Sequence, residues 1–218
     1  MANLKQFDDL IASRSLLKHP FYVKWSAGEL TMDDMKAYAK EYFHLAKRVP
    51  AIVERVRDRA IERRPDMVDV IEHNLEDETM HIELWKRFAM SVGVSEKELM
   101  EYKPSAKVQK AVEGLVKGAE GTFEEGVATM YALERELPEI SQTKKDGLCK
   151  FYGLTGEDAH IYFDEHLKEA KHINVWLNVD VSEKEAEASV RESLANQNQV
   201  LDAVCDVAGI EIECECEQ

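Results

Sequence analysis

The 218-residue chain contains no uninterrupted apolar run of the ~18 residues needed to cross a bilayer. Its N-terminal stretch, MANLKQFDDLIASRS, carries acids where a secretory signal would be continuously apolar. No membrane span is expected, and the expected location is cytoplasmic. Cysteine is scarce. The four present, Cys149, Cys205, Cys214 and Cys216, are too few for a disulfide scaffold at this length. The last two lie in a terminal IECECEQ that could hold a metal ion or form an inert or redox-sensitive tail. Positive charge is also short: 28 Lys and Arg stand against 43 Asp and Glu, a formal charge of −15. Such a surface repels phosphate backbones and anionic lipid heads, so no nucleic-acid or membrane partner is expected. Internal repeats, low-complexity linkers and sustained period-two alternation are all missing, which argues against a β architecture.

What the chain does have is apolar spacing at helical period, and 44% hydrophobic residues to fill one sizeable core. One seam runs Met32, Met35, Ala39, Tyr42, Ala46, Val49, Val53, Val56, Ala60, with Pro50 predicting a kink near residues 46 to 50. A second runs Met67, Ile71, Asn74, Glu78, His81, Trp85, Phe88, Val92. The third is Phe123, Val127, Met130, Glu134, Leu137 and the fourth Ala159, Tyr162, His166, Glu169, Ile173, Trp176. Capping-box spacing marks starts at Thr31, Ser95, Thr155 and Ser182, and Gly93, Gly147 and Gly153 mark stops. The expectation is an all-α, single-domain bundle of about seven or eight helices. It would span residues 1–208, followed by an acidic Cys-containing tail, 209–218.

Three of the four seams carry ionisable groups in the middle of the stripe that should face the core. Glu78 and His81 point within about 60° of each other on an ideal helix, close enough to share an ion. Glu134 adds a carboxylate from another helix. His166 and Glu169 repeat the three-residue separation, and His172 follows. A lone carboxylate in a core costs several kcal/mol unless a cation or proton compensates it. Singly, each polar residue could be hydrogen-bonded within the bundle. Jointly, two divalent ions held by Glu78, His81, Glu134, His166, Glu169 and His172 explain all of them. His172 lies about 120° from His166 on an ideal helix and would need a local bulge to join. Asp77 and Glu136 could stand in for their neighbours but fall off the seams. His19, His44, His73 and His160 have no comparable setting.

HPFYVKWSAGELT (19 to 31), YAKEYF (38 to 43), NLEDE with HIELWKRFAMSVGV (74 to 94), GVATMYALERELPEI (126 to 140) and YFDEH (162 to 166) together carry a resemblance. In these motifs and their order, over roughly residues 5 to 205, the chain resembles the CADD proteins, named for a chlamydial protein associating with death domains. That group belongs to the haem-oxygenase-like dimetal oxidases. The resemblance implies that fold, and a self-sacrificing synthesis of 4-aminobenzoate, a folate precursor. In that chemistry a dimetal site activates O2, an internal tyrosine is excised, and an internal lysine donates the amine. By position the tyrosine would be Tyr22, the lysine Lys144, and Tyr162 would relay electrons. Glu78, His81 and Glu134 would be ligands. The resemblance further implies Fe/Fe or Fe/Mn, an external reductant, one turnover per chain and a homodimer. Taken alone, Tyr22 reads as a core aromatic, and Lys144 with Lys145 as a solvated pair near a helix end.

The chain departs from that pattern in three places. Only Thr79 and Met80 separate Glu78 from His81, where relatives carry a longer insert. His166, Glu169, His172 is one residue shorter than the usual His, Asp, His series. Leu133 stands where a tyrosine would precede the carboxylate ligand. Other functions compatible with the same bundle are a dimetal oxidase of an external amino acid or fatty acid, a hydrolase resembling the thiaminase II group, and a metal-free interaction protein. The hydrolase needs a pocket cysteine, and Cys149 lies off the seams. The interaction protein leaves the buried carboxylates unexplained.

Overall fold

Thr31 and Asp34 begin a helix as their spacing requires: the Thr31 hydroxyl accepts the Asp34 N–H, and the Asp34 carboxylate accepts the Thr31 N–H at 2.7 Å. This opens one of twelve α-helices among the described residues of the computed structural model, which are 2–168 and 170–212. They are α1 (Asp8–Ser13), α2 (Pro20–Ala27), α3 (Met32–Ala46), α4 (Val49–Arg63), α5 (Val68–Ser91) and α6 (Glu96–Glu101). The second half supplies α7 (Ala106–Gly118), α8 (Phe123–Glu134), α9 (Leu137–Phe151), α10 (Glu157–His166), α11 (Ala170–Leu177) and α12 (Glu183–Ala208). The all-α expectation holds. One two-residue antiparallel ladder pairs Ala2–Asn3 with Asp180–Val181, too short to leave an alternation signal.

The helix count exceeds the sequence reading because long seams are cut. Pro50 falls in the first turn of α4, so the expected kink is a break across Lys47 and Arg48 between α3 and α4. A second break follows Glu134, and a third follows His166. Caps stand at Thr31, Ser95 and Ser182 as predicted, but the start placed at Thr155 falls to Gly156 instead. Gly93 and Gly153, both at positive φ, follow the ends of α5 and α9. Gly147 does not stop a helix. It sits inside α9, where a Cβ would lie 2.5 Å from Trp25 Nε1, so the bare backbone lets the indole of α2 approach and donate to Lys144 O at 3.2 Å.

Two long helices organise the bundle. α5 packs on α3, α4 and α10, and α12 packs on α3, α7 and α8. The apolar stripe of α5, with Ile71, Trp85 and Phe88, is fully buried. Its polar members Asn74, Glu78 and His81 are buried with it, facing α10 and α11.

Candidate metal centre

The i, i+3 spacing on α5 brings His81 Nδ1 to 3.3 Å from Glu78 Oε2, both side chains buried. The ends of α8 and α10 deliver Glu134 and His166, each the last residue of its helix. The chain then turns at Leu167 and Lys168, and α11 starts at Ala170. That break does what an unbroken helix could not: His172 comes back to the same centre, its Nδ1 4.0 Å from Glu78 Oε1.

Two triads result, Glu78 with His81 and His166, and Glu78 with Glu134 and His172, each able to bring three ligand atoms within 4.8 Å of one another. Glu78 belongs to both, the place of a bridging carboxylate. Five of the six residues expected at the metals therefore converge. The sixth, Glu169, lies outside the described residues.

The hydrogen bonds around the triads suit divalent ions. His166 Nδ1–H donates to Tyr162 O at 2.7 Å, which makes Nε2 the acceptor nitrogen of the ring. His172 Nε2–H donates to Asp77 Oδ2 at 3.1 Å, leaving Nδ1 facing Glu78. A histidine whose second nitrogen is held by a carbonyl or carboxylate is the usual arrangement at a metal. Trp176 Nε1–H donates to Glu134 Oε2 at 2.6 Å and fixes that carboxylate. Burial pushes the Glu78 carboxyl up, but His81, His166 and His172 outweigh it and hold the group below its ordinary value. A buried cluster of two carboxylates and three imidazoles, with the tautomers of His166 and His172 set from outside, fits a pair of metal ions.

A second cluster lies beside the first. Lys144 is 2% exposed, and its Nζ sits 5.1 to 5.2 Å from the ring centroids of Tyr22, Tyr38, Tyr42 and Phe163. Burial alone pulls its ammonium down to about 7. The expected solvated Lys144–Lys145 pair is thus half right: Lys145 reaches out to Asp164, while Lys144 turns inward, because successive residues on a helix point about 100° apart. Tyr22 is 1% exposed, with its hydroxyl 3.4 Å from that of Tyr38, and burial holds both phenols well above the ordinary tyrosine value.

Rings join the two clusters. Tyr162 lies 4.2 Å from His166 and 4.7 Å from Trp85, centroid to centroid, and Trp85 stacks on Tyr42 at 4.8 Å. Tyr42 in turn lies 5.2 Å from Tyr38. A cleft of about 350 Å³ reaches the candidate ligands from outside, lined by Met80, Arg87 and Lys168 together with His81 and His172. Asp77, read from the sequence as a possible stand-in ligand, instead accepts from His172, and no role is read from the sequence for Trp176 or Trp85. The two tryptophans lie on the seams, but nothing in their spacing marks a hydrogen bond to a carboxylate or a stack between tyrosines.

The four remaining histidines stand outside both clusters. His19 caps α2, His44 is partly buried on α3, His73 is exposed, and His160 Nε2–H donates to Leu154 O.

A sequence profile of the TENA/THI-4/PQQC family matches residues 5–206. The chain belongs to this family. Within it, the 4-aminobenzoate synthase of Chlamydia muridarum is 34% identical over 200 residues, covering 85% of this chain and 83% of the relative. The 4-aminobenzoate synthase of Chlamydia trachomatis is also 34% identical, covering 85% of each. That of Nitrosomonas europaea is 29% identical over 212 residues, covering 88% of this chain and 79% of the relative. The resemblance read from the motifs therefore stands. Solved structures agree on the fold. A domain of unknown function with a heme oxygenase-like fold from Shewanella denitrificans superposes with a TM-score of 0.82 at 17% identity, covering 96% of this chain and 95% of that one. A CADD-like protein of unknown function from Nostoc punctiforme gives 0.74 at 16%, covering 95% of each. Among the described residues no helix is long and apolar enough to cross a membrane.

Proposed function

We propose that this TENA/THI-4/PQQC-family chain is an O2-dependent dimetal oxidase that forms 4-aminobenzoate from its own Tyr22 and Lys144, once per polypeptide. The observation that carries the reading is the cage: a buried lysine amine placed on the ring of Tyr22, with a chain of aromatic contacts leading to a Glu and His cluster. Relatives named 4-aminobenzoate synthase supply the product.

Glu78, His81 and His166 would hold one metal, and Glu78, Glu134 and His172 the other, with Glu169 a further candidate. Fe/Fe or Fe/Mn, with O2 and an external reductant, would supply the oxidising equivalents. The chain's own groups then divide the work. Tyr162 and Trp85, in edge-to-face contact, offer rings between the ligands and the cage, a route for single electrons. Tyr22 is held as the neutral phenol at neutral pH, so taking an electron from it requires release of its proton, and the Tyr38 hydroxyl at 3.4 Å is placed to receive it. Lys144 must present a lone pair to form a bond to carbon, and an ammonium has none. Burial that brings its pKa to about 7 leaves a large neutral fraction at neutral pH. The surrounding rings exclude water that would compete for the same carbon.

The test is to load the protein with Fe(II), with and without Mn(II), add reductant and O2, and follow 4-aminobenzoate alongside intact mass. The expected result is product together with a mass loss mapped to Tyr22, and neither from Tyr22→Phe. Metal uptake with O2 consumption but no mass loss would overturn the self-sacrificing step. It would favour an external substrate entering by the 350 Å³ cleft that reaches His81 and His172.

A further inference from the structure

Asn74 lies one helical turn before Glu78 on α5, within about 40° of it around the axis. It is 1% exposed, and among the described residues neither its Oδ1 nor its Nδ2 has a hydrogen-bond partner. A buried amide left in that condition is destabilising, and the same volume could have been filled by leucine. Asn74 faces a cleft of about 380 Å³ that it lines with Asp77 and His172. The amide thus stands on the same side of the centre as the Glu78, Glu134 and His172 triad, beside the carboxylate that orients His172. Three protein donors leave open coordination positions on a hard divalent ion, and water fills them. A carboxamide both donates and accepts, which suits a coordinated water or hydroxide.

We propose that Asn74 is a positioning residue of the second metal, its amide hydrogen-bonding the solvent-derived ligand carried by the ion held by Glu78, Glu134 and His172. The inference rests on the metal reading above. It assigns to Asn74 the placing of that solvent-derived ligand. It also explains why a polar residue persists at a core position of α5 that Ile71 and Trp85 otherwise mark as apolar.

The test is anaerobic titration of metal-free protein with Co(II), read by visible absorption and calorimetry, for wild type, Asn74→Leu and Asn74→Ala. Outer partners of metal sites are worth about 10- to 100-fold in affinity. One of the two Co(II) constants is expected to weaken about tenfold or more, with a changed absorption envelope, while the other stays put. Metal-free Asn74→Leu is expected to melt no lower than wild type, since it trades an unsatisfied amide for an apolar group of similar size. Should leucine prevent folding, the smaller Asn74→Ala reads the same two constants. Unchanged constants and an unchanged spectrum in a folded variant overturn the proposal for Asn74 alone. Failure of wild type to bind Co(II) at all sinks the metal reading itself, and this inference with it.

Discussion

Replacing Lys144 by methionine should stabilise the metal-free protein near neutral pH, and by an amount that depends on pH in a defined way. In the folded chain the Lys144 pKa is down to about 7 from an ordinary 10.5, with burial as the cause. Between those values the unfolded chain binds a proton that the folded chain does not, so stability rises with pH across that window. At 1.36 kcal/mol per unit, the full difference is about 5 kcal/mol, and the portion between pH 7 and 9 is about 2 to 3 kcal/mol. Below pH 7 the ammonium is buried at full cost, and above about 10.5 the cost is gone. Cation–π attraction from the four rings offsets some of it, so about 3 kcal/mol is a fair expectation for Lys144→Met at pH 6. Urea unfolding of both proteins at pH 6, 7, 8 and 9, without metal, reads the difference directly. Other titrating groups cancel in the comparison. The variant's advantage should shrink steadily from pH 7 to pH 9. A difference that stays constant over this range would falsify the claim that a buried lysine is being held neutral, and with it the reason to regard Lys144 as a ready amine.

Glu78→Ala should abolish binding of both metals, because Glu78 is common to both triads, whereas Glu134→Ala should remove one; mass spectrometry of metal content after dialysis separates the two cases. Metal occupancy unaffected by Glu134→Ala would take that residue out of the centre. His19 accepts the Phe21 N–H at 3.2 Å, capping α2 just ahead of Tyr22, and its Nε2–H donates to Asp202 at 3.0 Å. Burial, aided by Lys107 and opposed by Asp202, holds its pKa below the ordinary 6.5, so its contribution is full above that value and lost as pH falls through the folded one. His19→Ala should therefore cost about 1 kcal/mol at pH 8 and less at pH 5.5, and equal costs at both would refute this. Glu41, fully buried on α3, accepts bonds from the Tyr102 and Ser105 hydroxyls and from the Ser105 N–H that opens α7. Glu41→Ala should lower stability by about 3 kcal/mol in urea unfolding; a change under about 1 kcal/mol would mean water replaces the carboxylate.

The part of the centre legible in the sequence is the part that a regular helix can express. Glu78 and His81 three apart on a core stripe need no partner to be noticed, and Glu134 and His166 sit on stripes of their own. What escaped reading depends on contacts between helices. Asp77 is legible only as a possible stand-in ligand off its seam, and its bond to His172 is not. Trp176 is indistinguishable from any core indole until Glu134 lies 2.6 Å away. Lys144 looked solvated because its neighbour is, and only the packing of α2, α3 and α10 around it shows otherwise.

The helix breaks have the same status, and they bear most directly on function. Glu134 and His166 are the final residues of α8 and α10. Divalent ions at the proposed centre would compensate the burial of Glu78 and Glu134. The break that ends α10 also releases the following chain from helical phase, which is what lets Trp176 and His172 reach back to the centre from α11. Restoring an unbroken helix through residues 167–169 would carry His172 about 120° away from His166 and dissolve the second triad. The interruption of the fourth seam is therefore a requirement of the site.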